Sequence, residues 1–285
     1  MKQILTVKIE QEVLSLIPNI AFSNVPSWYG STRRDLKMDL IAPKNREGHA
    51  PCPAVIWICG GAYRVVDRSV WLPQMVYFAQ KGYVVACIEY RTSNEAQFPD
   101  PLIDCKAAVR YLKAHADAFC VDRNRICVMG ESAGGTMASL LGVTGGIPEY
   151  EKGDYLEEDS RVNAVVDFYG LTDLTDAPMS SREDIPEWAL QDFLGVGYSK
   201  ETAERASAIH YVDASVPPFL ILHGSGDTLV PVRQSEALYN RLQEQGIYSE
   251  LYILKDAPHG ADEFYQQEIL DRILAFLEKT LGETR

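Results

Sequence analysis

The chain has 285 residues, with 27 lysines and arginines against 40 aspartates and glutamates, which leaves a formal net charge of -13. This acidic balance argues against a protein that binds nucleic acid or an anionic membrane surface. A content of 46% hydrophobic and 24% charged residues is ordinary for a globular protein with a sizeable core, and it excludes the disordered and collagen-like classes.

The N-terminal sequence does not resemble a targeting segment. Lys8, Glu10 and Glu12 interrupt the place where the apolar core of a secretion signal would lie, and no small-residue cleavage pattern follows. Every apolar stretch is shorter than the roughly 18 residues that a transmembrane helix needs. We therefore expect a soluble, cytoplasmic protein with no membrane partner.

The predicted elements begin with extended strands. The first fifty residues are more polar than the rest and predict antiparallel edge strands, with Met38–Ile41, closed by Pro43, as the best candidate. Six short and mostly continuous apolar runs follow, a pattern typical of strands buried on both faces. They are Ala54–Cys59, Tyr83–Tyr90, Arg125–Met129, Val162–Tyr169, Phe219–His223 and Glu250–Leu254.

Helical patterns lie between these runs, and several of them begin at Pro, Asp or Ser. They span Val70–Lys81, Leu102–Phe119, Ala133–Val143, Arg233–Gln245 and Asp262–Leu281. Strands that alternate with helices predict an α/β fold with a mostly parallel sheet covered on both faces. No linker or repeat divides the chain, so we predict a single domain over residues 1–285.

The segment from Leu171 to Tyr211 breaks this alternation. It is rich in Asp, Glu, Ser and Pro, it carries Trp188 and Phe193, and it contains a short helical pattern around Ile185–Leu194. A plain connecting loop of this length is unusual in a compact domain. The alternatives are such a loop and a cap or lid over the sheet, and the composition favours the cap.

The six cysteines give no sign of a metal or disulfide site. They are Cys52, Cys59, Cys87, Cys105, Cys120 and Cys127. None forms a CxxC pair or lies beside a histidine at metal-ligand spacing, and most lie in apolar runs, where a thiol behaves as a small hydrophobe. We predict reduced, structural cysteines, no metal and no cofactor.

A candidate nucleophile lies in Gly130-Glu131-Ser132-Ala133-Gly134, which follows a predicted strand and opens a predicted helix. This is the strand, sharp turn and helix of a nucleophile elbow, in which Ser132 attacks and flanking glycines permit strained backbone and close chain approach. The pattern alone could also arise as a glycine–serine turn.

A serine nucleophile needs a base, and the five histidines are His49, His115, His210, His223 and His259. His259 is the best placed, because it lies between the last strand and the last helix, at the edge where parallel strands present active sites. His115 and His223 fall in buried patterns that favour packing, His49 lies in the polar N-terminal region, and His210 could line the cap.

The base in turn needs a carboxylate that orients its ring. Asp227 comes just after the strand Phe219–His223, and Asp173, after the preceding strand, is the competing acid, which otherwise reads as a turn residue. The chain order Ser132, Asp227, His259 is that of α/β-hydrolases and differs from the chymotrypsin and subtilisin orders.

An acyl-transfer site also needs N–H donors for the oxyanion. Gly60 and Gly61 follow a predicted strand, and the Ala133 N–H comes directly after the candidate nucleophile. We predict that these three residues form the oxyanion hole, with a plain strand-to-helix turn as the alternative for the two glycines.

Four motifs together resemble the α/β-hydrolase superfamily, within it the hormone-sensitive-lipase-like and bacterial feruloyl/acetyl esterase-like carboxylesterases. They are Cys59-Gly60-Gly61-Ala62-Tyr63, the elbow Gly130–Gly135, His223-Gly224-Ser225-Gly226-Asp227 and Pro258-His259-Gly260. The resemblance runs from about Trp28 onward and implies the α/β-hydrolase fold, with about eight strands and a small cap over residues 171–211. Cys59 stands where these esterases carry the His of a His-Gly-Gly motif, which predicts altered rigidity of that loop; the other reading of Cys59 is a reactive thiol.

The resemblance implies a serine carboxylic ester hydrolase, with an acyl-enzyme intermediate, that acts on short-acyl esters, acetyl or feruloyl-like, including those of small carbohydrates. Tyr63, Arg64, Trp188 and Phe193 are the candidate substrate-binding residues. The alternatives are an amidase, arylformamidase or small peptidase on the same residues, and a non-catalytic ligand-binding relative. The expected partner is a small-molecule ester, and an exposed edge strand or the terminal helix could pair in a homodimer.

Overall fold

The computed structural model describes residues 1–9, 12–28, 30–45, 48–176 and 187–284. Eight strands form one sheet in the order β1-β2-β4-β3-β5-β6-β7-β8. The strands are β1 Leu14–Ser27, β2 Thr32–Pro43, β3 Cys52–Ile58, β4 Val84–Ile88, β5 Val121–Glu131, β6 Ala164–Phe168, β7 Phe219–Gly224 and β8 Ser249–Leu254. Strand β2 runs antiparallel to both of its neighbours, and the other neighbouring pairs are parallel. The mostly parallel α/β fold predicted from the sequence is confirmed.

The six strands predicted from apolar runs are all present, the last of them, β8, at the edge of the sheet. The predicted run Met38–Ile41 lies in β2, where Met38 pairs with Ile88 of β4. The helices are α1 Leu72–Gln80, α2 Asp100–Ala114, α3 Ala116–Phe119, α4 Ala133–Val143, α5 Glu187–Leu194, α6 Lys200–Arg205, α7 Arg233–Glu244 and α8 Gln267–Leu281. No described helix combines the length and apolar character needed to cross a membrane.

Two predicted helices are divided in the structure. The pattern Leu102–Phe119 breaks at His115, whose φ of -110° and ψ of 21° are not helical and whose Nδ1 lies 2.9 Å from the Tyr111 carbonyl oxygen. The pattern Asp262–Leu281 opens as a 3-10 turn and becomes helical after Gln266, which is extended. Side-chain hydrogen bonds and local backbone geometry therefore override an apolar period that runs through both breaks.

The sheet is buried on both faces because helices cover both. Ile56 and Ile58 of β3 face a core that includes α2, α4 and α7, whereas Val55 and Trp57 face a core built by α1 and α8. All seven residues of β3 are buried, which explains why this strand shows no polar alternation. Each fully buried large apolar side chain contributes about 1.5–3 kcal/mol to stability.

The parallel strands place the predicted site residues at one edge of the sheet. Strands β3, β5, β7 and β8 run in the same direction, so the loops at their carboxyl ends lie side by side. Gly60, Ser132, Asp227 and His259 all lie in or after such loops. This is the edge at which open parallel sheets build their binding sites.

Candidate active site

Ser132 occupies a sharp turn between β5 and α4. Its φ of 55° lies in the left-handed region that residues with a Cβ seldom adopt, and its N–H donates to the Phe168 carbonyl oxygen of β6 at 2.9 Å. The strained turn directs the side chain away from the sheet ladder, and Oγ lies 2.9 Å from His259 Nε2. Such local strain, held in place by the surrounding structure, is typical of a functional position.

The flanking glycines are required by close backbone contacts. A Cβ on Gly130 would lie 2.2 Å from the Gly134 carbonyl oxygen, and one on Gly134 would lie 2.0 Å from the Ile58 carbonyl oxygen of β3. Neither backbone oxygen can move without displacing a strand or a helix. The two glycines of the predicted elbow therefore let the turn pack against β3.

His259 bridges Ser132 and Asp227. Its Nδ1 lies 2.7 Å from Asp227 Oδ2, and its Nε2 faces Ser132 Oγ. Because an ionised carboxylate only accepts hydrogen bonds, Nδ1 carries the proton and Nε2 is free to accept the hydroxyl proton of Ser132. The Tyr169 ring lies 4.7 Å from the imidazole, centroid to centroid, and limits its rotation. The structure thus brings the three predicted residues into one hydrogen-bonded chain.

Asp227 is held as a carboxylate in a buried place. Burial opposes its ionisation, but hydrogen bonds from His223 and His259 outweigh burial and hold the pKa of this carboxyl well below its ordinary value. Oδ1 accepts the N–H groups of Leu229 at 2.8 Å and Val230 at 2.9 Å. The carboxylate is therefore in contact with four groups, and its charge is available to His259 at neutral pH.

His223 is a contact of this site that sequence reasoning missed. The sequence favoured a packing histidine, and the ring is indeed fully buried, with Nδ1 at 2.6 Å from Ser235 Oγ. Its Nε2 donates to the Val230 carbonyl oxygen at 2.9 Å and lies 3.4 Å from Asp227 Oδ2. The signal in the sequence was the spacing of four residues between His223 and Asp227, which a tight turn brings together.

The competing candidates lie elsewhere. Asp173 Oδ1 accepts from the Thr175 N–H at 2.9 Å, the turn role that was its alternative reading, and it lies 4.0 Å from His210 Nε2. His49 contacts Glu12 at 3.0 Å, on the polar N-terminal segment. Among the five histidines, all of which the structure describes, His259 is the one placed against Ser132.

The oxyanion loop after β3 differs from the prediction in one residue. The Gly60 N–H donates to Glu131 Oε1 at 2.6 Å, so it is not available to a substrate. Gly61 has a φ of 133°, and within the described part of the chain no residue accepts from the N–H of Gly61 or from that of Ala133 at the start of α4. Two of the three predicted donors therefore remain open.

Two of the four predicted substrate-binding side chains are buried against each other. The rings of Tyr63 and Phe193 stack with centroids 4.3 Å apart, and their exposed fractions are 3% and 1%. The Tyr63 hydroxyl lies 3.1 Å from Thr136 Oγ1, so it too is used internally. Their side chains join the chain after the oxyanion loop to helix α5, and a role in lining the substrate pocket stays a prediction.

The other two, Arg64 and Trp188, are more exposed. The Arg64 guanidinium lies 4.4 Å above the Trp188 ring and forms an ion pair with Asp192. The Trp188 side chain is 42% exposed. These residues form a surface cation–π pair beside the loop, and a role in substrate binding stays a prediction.

The segment predicted as a cap contacts the rest of the domain through helix α5. Residues 177–186 lie outside the described residues, and with them Ile185, the first residue of the predicted helical pattern; helix α5 is described from Glu187. The Phe98 N–H donates to the Phe193 carbonyl oxygen at 2.8 Å. The role of the segment as a cap remains a prediction.

Cys59 is a buried thiol, like the other five cysteines. Burial, with the nearby Glu131 carboxylate, raises the pKa of Cys59 to about 12, so the thiolate that reacts with electrophiles is scarce at neutral pH. We expect iodoacetamide at pH 8 to leave Cys59 unlabelled in the native protein and to label it once the protein is unfolded in guanidinium, as read by peptide mass spectrometry. Fast native labelling of Cys59 with loss of activity would support the reactive-thiol alternative instead.

Comparison with known proteins finds a matching family model and similar curated sequences. Residues 38–242 match the family model BD-FAE. The chain is 32% identical over 240 residues to the "Probable carboxylic ester hydrolase LipM" of Mycobacterium tuberculosis. This alignment covers 78% of this chain and 53% of LipM. It is 34% identical over 221 residues to "Esterase LipC" of the same organism, which covers 74% of this chain and 54% of LipC. The chain therefore spans about half the length of these curated relatives.

The fold is also found among solved structures. A "Truncated form of carbohydrate esterase from gut microbiota" superposes with a TM-score of 0.78 at 23% identity, over 97% of this chain and 99% of that one. At this identity the likeness concerns the fold.

Proposed function

The chain belongs to the BD-FAE family of α/β-hydrolase-like proteins, and from this membership we propose that it is a carboxylic ester hydrolase whose nucleophile is Ser132. The observation that carries the proposal is the unbroken chain of hydrogen bonds from Ser132 through His259 to Asp227, at 2.9 and 2.7 Å. The relatives LipM and LipC, named as a carboxylic ester hydrolase and an esterase, support the reaction class.

In the proposed mechanism, Ser132 Oγ attacks the ester carbonyl carbon while His259 Nε2 takes the hydroxyl proton. The N–H groups of Gly61 and Ala133 stabilise the negative oxygen of the tetrahedral intermediate. The intermediate collapses, the C–O bond breaks, and His259 returns the proton to the leaving alcohol. Water, deprotonated by the same nitrogen, then hydrolyses the acyl-enzyme and restores the serine.

Asp227 acts in this scheme by orientation and charge. Its contact with His259 Nδ1 fixes the tautomer in which Nε2 is a base, and its negative charge stabilises the imidazolium that forms. Because its pKa is held low, the carboxylate does not compete with His259 for the proton.

A short acyl group is the substrate that we propose. The stacked rings of Tyr63 and Phe193 lie beside the oxyanion loop, and in this proposal they limit the length of the acyl chain. The resemblance of the loop and elbow motifs to feruloyl/acetyl esterases agrees with a small or planar acyl group, and leaves the sugar or aryl alcohol open.

The test is hydrolysis of p-nitrophenyl esters from acetate to decanoate, with methyl ferulate and acetylated xylo-oligosaccharides measured alongside. We expect kcat/KM to fall at least tenfold from acetate to octanoate, because even one methylene group that a pocket does not accommodate costs about 1–3 kcal/mol of transition-state binding. A maximum at octanoate or decanoate would contradict the short-acyl proposal. The matched p-nitroacetanilide separates the amidase alternative, which requires the amide to be turned over at a rate comparable to the ester.

A further inference from the structure

Glu131, the residue directly before Ser132, has a buried carboxylate in contact with the oxyanion loop. It ends strand β5 and is 8% exposed. Its Oε1 accepts the Gly60 N–H at 2.6 Å and lies 3.3 Å from the Trp71 indole nitrogen, which donates to it. Its Oε2 lies 3.5 Å from the Tyr169 hydroxyl, a longer contact. The carboxylate is therefore surrounded by donors from three separate parts of the chain.

The contact with Gly60 leaves no spare room. A Cβ on Gly60 would lie 2.5 Å from Oε1 and 2.6 Å from the Glu131 main-chain oxygen, so the loop rests directly on this residue. Gly61, whose N–H faces the proposed oxyanion, is the next residue along. The Gly60 N–H and the Gly61 N–H lie in consecutive rigid peptide units that are joined at the Gly60 Cα, so only φ and ψ of Gly60 separate their directions. Fixing the first unit against Glu131, which also packs closely on the Gly60 Cα, therefore restricts the direction in which the Gly61 N–H can point.

The usual support of such a loop is replaced in this chain. Cys59 stands where the resembling esterases have a histidine, and its Sγ lies 3.8 Å from the same Glu131 oxygen. A thiol is a weak hydrogen-bond donor, whereas a charged carboxylate accepting an N–H makes one of the stronger hydrogen bonds in proteins. The Tyr90 hydroxyl and the Arg64 N–H hold carbonyl oxygens of this loop, those of Cys59 at 3.1 Å and Gly61 at 2.9 Å, whereas Glu131 is the charged group that holds an N–H of the loop.

We propose that Glu131 is a positioning residue, which fixes the oxyanion loop of residues 59–62 through the Gly60 N–H and so aims the Gly61 N–H at the oxyanion. The expected effect on kcat rests on the proposed ester hydrolysis. The expected effect on the mobility of the loop rests on the contacts alone.

Three variants separate reach from charge. Glu131→Ala removes the acceptor, Glu131→Asp keeps the charge but is too short to reach Gly60, and Glu131→Gln keeps the reach without the charge. In the glutamine variant, Oε1 can still accept from Gly60 and Trp71, while its NH₂ group can donate to the Tyr169 hydroxyl.

We expect kcat on p-nitrophenyl acetate to fall about 10²-fold in the alanine and aspartate variants, close to the loss of one oxyanion donor, with little change in KM. The glutamine variant is expected to retain activity within about tenfold. A trifluoromethyl ketone inhibitor, which mimics the tetrahedral intermediate, should lose affinity by the same factor as kcat/KM falls. Activity kept by aspartate and lost by glutamine would overturn positioning by reach.

Hydrogen–deuterium exchange of the peptide covering residues 59–65 provides a readout that does not depend on activity. We expect faster exchange in the alanine and aspartate variants than in the wild type and the glutamine variant. Unchanged exchange in Glu131→Ala would overturn the positioning role of Glu131, whether or not the protein hydrolyses esters. If exchange is faster in this variant but the wild type hydrolyses no ester, the proposed function is wrong and the contact of Glu131 with the loop is supported.

Glu151→Ala is the matched control for loss of stability. The Glu151 carboxylate binds Lys106 at 2.8 Å and Arg110 at 2.9 Å, within the face covered by α2, away from the oxyanion loop. We expect this variant to lower the melting temperature and to leave the inhibitor affinity unchanged. If it weakened the inhibitor as much as Glu131→Ala does, the effect at Glu131 would be one of general stability.

Discussion

Replacing Ser132 by alanine is expected to lower kcat for p-nitrophenyl acetate by about 10⁶-fold, the scale found when a serine hydrolase loses its nucleophile. The Ser132 hydroxyl contacts His259 at 2.9 Å, and the Ser132 side chain makes no capping hydrogen bond to helix α4. The substitution therefore removes the attacking atom and leaves the packing of the elbow in place. We would measure turnover and thermal unfolding of the wild type and the variant, purified in parallel.

Ser139→Ala is the matched control, since it makes the same change seven residues further along, on helix α4. The Ser139 hydroxyl is buried and donates to Asp167 Oδ2 at 3.1 Å, so its loss is expected to cost about 1–3 kcal/mol in unfolding free energy. Its kcat should stay within a few-fold of the wild type. A Ser132→Ala protein that keeps most of its turnover would refute Ser132 as the nucleophile, and a fluorophosphonate probe would then identify the serine that reacts.

Replacing Asp227 by asparagine is expected to lower kcat by about 10⁴-fold, as when a triad carboxylate becomes an amide. Asparagine offers His259 Nδ1 either an amide NH₂ donor or a neutral oxygen. The first would force the imidazole into the tautomer that carries its proton on Nε2, facing Ser132, and the second would remove the charge that stabilises the imidazolium. The loss should appear mainly in kcat, with KM nearly unchanged.

Asp173→Asn tests the competing acid directly. Asp173 accepts the N–H of Thr175 in a turn, a role that asparagine fills well, so both activity and stability should be close to the wild type. If Asp173→Asn abolished turnover and Asp227→Asn did not, the carboxylate of the proposed site would have to be reassigned.

The sheet was predictable because its signals are local. Continuous apolar runs such as Phe219–His223 mark strands buried on both faces, and α4 begins and ends at the predicted residues, Ala133 and Val143. His115 shows the limit of this reasoning: the predicted helix breaks at its non-helical backbone conformation, which the apolar period does not reveal.

Two contacts beside the oxyanion loop were not predicted. Tyr63 and Phe193 were named as candidate substrate-binding residues, and in the structure they stack on each other across 130 positions of sequence. Gly60 was expected to donate to the oxyanion, and Glu131 accepts its N–H instead. In both cases another side chain of the protein, and not a substrate, makes the contact beside the oxyanion loop.

The sequence by itself determined the order of elements and the residue types at their carboxyl ends, because burial and glycine-dependent backbone conformations leave local patterns. The order of the elements also predicted that Ser132, Asp227 and His259 act together. Only the tertiary structure decided the contacts themselves: Ser132 and His259 are separated by 127 positions and come within 2.9 Å of each other, and Glu131 accepts the Gly60 N–H that was expected to face the substrate. Such distances depend on the twist and register of the sheet and on side-chain packing between loops, which arise from the whole chain.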